Sequence, residues 1–518
     1  MKWILLGALH AMLSAQPSDS AYELIVGSYT REGNPGIEVY SVRPPDHDRT
    51  PVQTIAIPNS SFLAMTADRT HLYSVGEEGG GKSTVSALRR DEKGMLTVLN
   101  TVPAGGDGSC HIVYREASAT VYVANYGSGS LSVFNTQDGR LLPVAQQIRY
   151  KGSGPVKSRQ ETPHAHQVVL SPDGNSLYVV DLGSDRIHRH RIFADGLVEE
   201  TPQDIVVTPG AGPRHMVFNA KGDRAYLMSE LSGVVDVFSV DAGDFKKIQS
   251  IPSDTSRAAL KGSGDIHLSP NGKWLLTTNR VSTNEVAVFL IKPEGTLSRV
   301  WNQPVAKRPR YFSFTPDGGY VYVGSQDEHR IQVFAFDDAT GAMTDTRRDI
   351  SVKQPVCLIF TEKQRFVDPE ERIRTSGIRM IKPTSPIANY VKYVQTGKLV
   401  FLSGHGPDRP DGGQVFGKVG RDLSVEDGQA AARLTGISLL STLKGHIGDL
   451  NRVKRIVKVT GLVNCTDDFT KQPSVMNGFS DLMVEVFGDR GRHARTSVGV
   501  NALPNNIAVE IEMVVELK

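Results

Sequence analysis

Apolar and polar positions alternate with a period of two in short runs from residue 22 to about residue 360, the pattern of strands with one buried face. A strand built around Tyr, or an aliphatic substitute, recurs in Leu24-Ile25-Val26, Leu72-Tyr73-Ser74, Val121-Tyr122-Val123, Leu177-Tyr178-Val179, Ala225-Tyr226-Leu227, Trp274-Leu275-Leu276 and Val321-Tyr322-Val323. The step is about 48 residues, with one longer step between the third and fourth, which is the period of a four-stranded propeller blade. Turns such as Ser171-Pro172-Asp173-Gly174 and Thr315-Pro316-Asp317-Gly318 precede these strands, and third strands such as Val234-Val235-Asp236-Val237-Phe238 follow them. The pattern predicts an all-β seven-bladed β-propeller. Its first repeat begins at a second strand, Tyr22 to Ser28, so the missing innermost strand must come from Val356-Cys357-Leu358-Ile359-Phe360, closing the ring and removing its edges.

Beyond Phe360 the period changes. The charged stretch around Asp368-Pro369-Glu370-Glu371-Arg372 breaks the repeat and reads as a linker. Ser424-Val425-Glu426-Asp427 has the form of a capped helix start, and Ala430, Leu434, Ile437 and Leu440 continue one apolar face. Met476, Phe479, Met483 and Val486 mark a second helix, with strands expected at Lys398 to Ser403, Val453 to Leu462, Thr496 to Val500 and Ala508 to Val515. The chain is therefore multidomain: a propeller over 21–362, a linker over 363–376, and an α+β domain over 377–518 with helices on one face of its sheet.

Lys2, the apolar run Trp3 to Met12 and the following Leu13-Ser14-Ala15-Gln16 have the order of a secretory signal. Residues 1–15 are expected to be cleaved, placing the protein in the periplasm or outside the cell; uncleaved, it stays in the cytoplasm. No later run approaches the roughly 20 apolar residues of a membrane span. Lys+Arg 58 against Asp+Glu 56 gives a net charge of +2, without the one-sided field of a nucleic-acid or membrane binder. Three cysteines, Cys110, Cys357 and Cys465, support neither a disulfide framework nor a structural zinc site.

The phase of the polar residues matters more than their number. Alignment of the repeats on the Ser-Pro-Asp turn puts His111, His166, His215 and Arg310 at one shared position, the entry to the innermost strand, with Arg214 just before His215. Alignment on the tyrosine puts Glu77, Glu230, Asn279 and Gln326 just beyond the second strand, with Arg280 next to Asn279. Consecutive strands run antiparallel, so both sets belong to one mouth of the central channel. Charged groups gathered there shift one another's pKa values. The plainer readings are loop-satisfying side chains or a protein-docking surface. Gly76-Glu77-Glu78-Gly79-Gly80-Gly81-Lys82-Ser83 fits a phosphate-loop pattern, but Thr84-Val85-Ser86-Ala87-Leu88 reads as a strand where that loop needs a helix.

Cys110-His111-Ile112-Val113, Pro163-His164-Ala165-His166, Gly212-Pro213-Arg214-His215-Met216, Asp265-Ile266-His267 and Arg310-Tyr311-Phe312 resemble the 6-phosphogluconolactonase propeller family, which is similar to fungal carboxymuconate-cyclising enzymes. The resemblance implies lactone hydrolysis, with His166, Arg214, Glu230 and Arg280 matching the acting positions of the muconate enzymes. Lactone opening needs a base, either His166 or His215, and a cation such as Arg214 or Arg280 for the oxyanion or for a substrate phosphate or carboxylate. Glu230 would orient a histidine or the water, while His111, Glu77, Arg310 and Asn279 would line the substrate. No Gly-x-Ser-x-Gly elbow or metal cluster is present in the sequence, so metal-free and cofactor-free water attack is expected. The other readings are a docking platform without catalysis and a carboxymuconate-type cyclase.

Asn389-Tyr390-Val391, Leu402-Ser403-Gly404-His405, Val475-Met476-Asn477-Gly478, Arg495-Thr496-Ser497-Val498-Gly499 and Val509-Glu510-Ile511-Glu512 resemble the RidA (YjgF) family, with its chorismate-mutase-like α+β fold. The resemblance implies a homotrimer with sites between subunits that hydrolyse imino or enamino acids. Arg495 then grips the carboxylate, Glu510 helps activate water, and Tyr390, Gly404 and Asn477 complete the site. Ser403-Gly404-His405 departs from the family's usual Ser-Gly-Gln, and Asn477 aligns only past an insertion. 6-Phosphogluconolactone and dehydratase enamines are cytosolic, so a cleaved leader implies unphosphorylated lactones and a repurposed second domain.

Overall fold

The computed structural model describes residues 22–518 except 45, 92, 260, 363–367, 384, 385, 387 and 388, and the expected leader lies outside them. The chain divides into two compact units, Met1–Gln364 and Arg365–Lys518.

The first unit is a ring of seven sheets. Six blades are built in chain order; the second, for example, runs Ser109–Arg115, Thr120–Asn125, Ser130–Gln137, Arg140–Arg149. The seventh joins the two ends of the unit, pairing Tyr22–Ser28 with Pro355–Glu362 through Leu24↔Phe360, Ile25↔Ile359 and Val26↔Leu358. One apolar cluster then runs through three blades, uniting Tyr322 and Val333, Leu24 and Leu358, and Leu63 and Leu72.

The recurrent tyrosine has a physical reason. Tyr73, Tyr122 and Tyr226 are buried, and each phenol donates to a glycine carbonyl in an outer turn of the next blade: Gly139 at 3.2 Å, Gly196 at 2.7 Å and Gly295 at 3.0 Å. Where Trp274 stands nearby in the fifth blade, its indole N–H reaches Asp338 O at 3.0 Å in the sixth. Outer-strand amides add a second set of ties. Gln53, Asn100, Gln146 and Gln249 each donate to and accept from one backbone position of the following blade, Leu96, Leu141, Val198 and Leu297. Each such bond contributes about 0.5–1.5 kcal/mol net, and their regular placement sets the blade spacing.

A buried ion pair, Glu23 with Arg90, crosses from the closing blade to the first, with side chains 8% and 1% exposed. Gly94, at φ +85°, turns over it; a Cβ there would meet the Glu23 carboxylate.

The second unit is a five-stranded sheet in the order Tyr393–Thr396, Leu399–His405, Val509–Leu517, Val453–Asn464, Ala494–Val500, the last two parallel. Helices Val425–Ile447 and Gln472–Phe487 pack against it; the first opens with a Ser424/Asp427 capping box. Part of the stretch expected as a linker is helical. Pro369–Thr375 is capped by Asp368, which accepts from the Glu370 and Glu371 amides, and Ile373 joins the second unit's core.

Arg90→Ala leaves Glu23 buried without its partner and is expected to destabilise the propeller by about 3–5 kcal/mol. The double variant Glu23→Leu/Arg90→Leu is expected to recover most of that loss, both read by denaturant unfolding.

Candidate functional site in the propeller channel

Seven equivalent backbone bonds define the mouth. The first residue after each second strand donates its N–H to the carbonyl just ahead of the innermost strand: Tyr29 to Gln354, Glu77 to Asn59, Tyr126 to Gly108, Leu182 to His164, Glu230 to Gly212, Arg280 to Gly262 and Gln326 to Arg308. These seven side chains form the outermost ring. Arg280 therefore belongs where Asn279 was expected. In the fifth blade Leu276, not Leu275, takes the tyrosine's place: Tyr226 pairs with Val217 and Leu276 with His267. Asn279 instead is fully buried, bonded to Ser253, Ser263 and Glu285, and does not line the channel.

The shared position of the histidines also resolves into two. In six blades the innermost strand carries a register shift near its entry. Such a bulge places one extra residue on the strand and re-aims its side chain. Cys110, His166, Arg214, Gly264 and Arg310 hold the bulge position, and His111, Gln167, His215, Asp265 and Tyr311 hold the next one. His166 and His215 thus stand in adjacent rings of adjacent blades, with ring centroids 5.1 Å apart, and His111 lies 5.5 Å from His215.

Glu230 is the electrostatic centre. Oε2 meets Arg280 Nη2 at 2.7 Å and Arg214 Nε at 3.0 Å, and Oε1 meets Arg159 Nη2 at 2.7 Å. Burial alone would raise this carboxyl; Arg280, Arg214 and Arg159 together outweigh it and hold it at about 2. Burial, reinforced by Arg214, pulls Arg280 down to about 9. Arg310 lies over the Tyr29 ring at 5.3 Å, and the Tyr29 phenol donates to Glu77 at 2.9 Å.

Glu230, committed to three guanidiniums, does not orient a histidine. Asp265 does, accepting from His215 Nδ1 at 2.8 Å and meeting His267 Nε2 at 2.7 Å. Burial, then Arg214, brings His215 down to about 4, and burial with the surrounding arginines holds His166 well below the ordinary histidine range. Both are neutral imidazoles near pH 7. Nδ1 of His166 and of His111 has no hydrogen-bond partner among the described residues. The open His166 atom, buried with Arg214, Arg310 and Arg280 around it, is suited to an anionic or carbonyl-bearing ligand.

Sequence reasoning missed Asp265, Arg159 and Tyr126. Asp265 was hidden by the one-residue slip in the blade without a tyrosine. Arg159 comes from the extra segment of the long repeat step, and its guanidinium also reaches the Tyr126 hydroxyl at 3.3 Å. In the phosphate-loop look-alike, Gly80 and Gly81 direct their amides to the Asp107 carboxylate at 3.2 and 3.1 Å, and strand Thr84–Arg90 follows.

Residues 23–360 match the family model for the seven-bladed β-propeller lactonases. The chain belongs to that lactonase family. A 6-phosphogluconolactonase of Formosa agariphila is 31% identical over 342 residues, 64% of this chain and 96% of the relative. The solved structure of a periplasmic gluconolactonase from Pseudomonas aeruginosa superposes with TM-score 0.63 at 31% identity, covering 66% of this chain and 99% of that one. Behind the lactonase propeller, residues 370–517 match the YjgF/chorismate mutase-like family, and Protein TCP17 of Trypanosoma cruzi is 45% identical over 142 residues, 27% of this chain and 89% of the relative.

In that second domain a cleft of about 670 Å³ is lined by Tyr390, Lys392, Gly404, Asp408 and Glu510. A Cβ on Gly404 would collide with the Glu510 carboxylate, so glycine is what lets the acid enter the cleft. Burial, then Glu512, raises the Glu510 pKa. His405, at the departure from the usual glutamine, is spent internally on Ser403 O at 2.6 Å and Thr442 Oγ1 at 2.8 Å. Within one chain Arg495 and Asn477 stand apart from this cleft: Arg495 donates to Asn477 Oδ1 at 3.1 Å, Ser480 Oγ at 2.9 Å and Pro473 O at 3.2 Å.

A histidine whose folded pKa lies below its unfolded value of about 6.5 contributes stability above that pH, lost as the pH falls through the folded value. For His215 the window runs from about 6.5 to about 4. Chemical denaturation across it is expected to show stability falling by on the order of 3 kcal/mol from this group, a slope that His215→Gln reduces.

Proposed function

We propose that the propeller channel hydrolyses a sugar lactone. The observation that carries this reading is the pairing, inside one buried mouth, of neutral histidines with guanidiniums held by Glu230. The relatives named as 6-phosphogluconolactonase and gluconolactonase support the substrate class. A channel histidine takes a proton from water, the oxygen attacks the lactone carbonyl, and Arg214 or Arg280 faces the oxyanion as it forms. Collapse breaks the ring C–O bond, and the alkoxide takes the proton back.

The Pseudomonas relative is named periplasmic, which supports reading residues 1–15 as a leader and an unphosphorylated lactone as substrate. The test is turnover of six-carbon sugar δ-lactones with and without a 6-phosphate. Arg214→Ala or His166→Ala is expected to lower kcat/KM by about 10²–10³. An intact protein that turns over neither lactone would overturn the reading.

For the second domain we propose a homotrimer that hydrolyses imino or enamino acids at clefts between chains. The support is the separation of Arg495 from Glu510 in one chain: a carboxylate-gripping arginine and a water-activating acid meet only if another copy supplies one of them. Sedimentation is expected to give a trimer, and Arg495→Ala to abolish 2-imino acid hydrolysis without dissociating it.

A further inference from the structure

Asp265 occupies in the fifth blade the ring position that His215 occupies in the fourth, so the two side chains meet side by side within the channel. Asp265 is 1% exposed, and both of its oxygens are directed at imidazoles. A carboxylate only accepts, so the proton of His215 sits on Nδ1 and the lone pair on Nε2. Nε2 faces Arg214 Nη1 at 3.4 Å, a long contact, while the same guanidinium nitrogen also donates to Gly264 O. The lone pair is thus weakly held and lies beside the cation suited to an oxyanion.

His166 and His111 lack this arrangement, and His267, which meets the other Asp265 oxygen through Nε2, is 32% exposed instead of enclosed. His166 and His111 present an unbonded Nδ1, and neither forms a hydrogen bond to a carboxylate among the described residues. The groups facing His215 are Arg214 on its own strand, His111 and His166 from the second and third blades, and Asp265 with His267 from the fifth. Among the described residues, Asp265 is the one anion hydrogen-bonded to the imidazole.

On the lactonase reading above, we infer that Asp265 is a positioning residue that makes His215 the general base of the channel. It fixes the tautomer and ring orientation, and it stabilises the imidazolium formed when Nε2 takes the proton of water. The water oxygen forms the new bond to the carbonyl carbon, the ring C–O bond breaks, and the imidazolium returns its proton to the leaving alkoxide. The carboxyl of the product then loses a proton to solvent. Asp265 neither gains nor loses a proton in the cycle.

The test uses the full chain. In wild type, ¹⁵N-histidine spectra are expected to show His215 as the Nδ1–H tautomer. Asp265→Asn is expected to shift that population towards Nε2–H and to lower kcat about 10³-fold or more, with KM within about threefold. Asp265→Glu is expected to restore part of kcat, and His215→Ala on top of Asp265→Asn to add little further loss. A wild-type Nε2–H tautomer, or Asp265→Asn turning over at near wild-type kcat, would overturn the inference, and the tautomer decides it even if the variants fold poorly. Absence of lactone turnover in wild type would instead remove the hydrolase reading on which it rests.

Discussion

The pairing of Tyr22–Ser28 with Pro355–Glu362 is the constraint on which the propeller rests. Without it two strand edges stay open and the cluster spanning the last, closing and first blades loses its centre. With it, inner strands from distant parts of the chain face one another across a channel, and residues with no local reason to meet become neighbours. The cost of bringing such remote segments together is loop-closure entropy, which grows only slowly with length. The tyrosine and amide ties between successive blades spread the compensation around the ring.

The channel chemistry follows from two backbone regularities. The repeated N–H···O=C bond beyond each second strand sets the outer ring, and the bulge in six of the seven inner strands sets two further rings below it. The arginines are thereby spread over different depths: Arg280 shares the outer ring with Glu230, while Arg214 and Arg310 stand in the bulge ring. Glu230 meets arginines from the outer ring, the bulge ring and an inserted segment, which is why one carboxylate neutralises part of a strongly cationic mouth. Asp265 sits deeper, out of reach of those pairings, and is left to the imidazoles.

Much of this architecture was readable in the residues. The buried tyrosine marks the blades reliably, and at Tyr73, Tyr122 and Tyr226 its phenol also ties the blade to an outer turn of the next. The closing strand was legible because the first repeat begins one strand late. The site was readable to within one residue and no better, since a bulge changes depth without changing the apolar pattern. His111 and His166 were therefore set level, although the structure separates them. Where leucines replace the tyrosine, in Trp274-Leu275-Leu276, the landmark disappears, Asn279 was taken for Arg280, and Asp265 went unrecognised. Pro369–Thr375 was read as linker because its polar face outnumbers Ile373, the apolar side chain that anchors it.

Arg159 differs from the other cations of the mouth in its origin. It stands on the segment between the second and third blades and reaches Glu230 from outside the seven-fold backbone scheme, with its side chain still 37% exposed. Replacing it alters the local charge by one unit while every inner-strand bond stays in place. The charge of the mouth can thus be tuned from a stretch of polypeptide that carries none of the seven repeated backbone bonds.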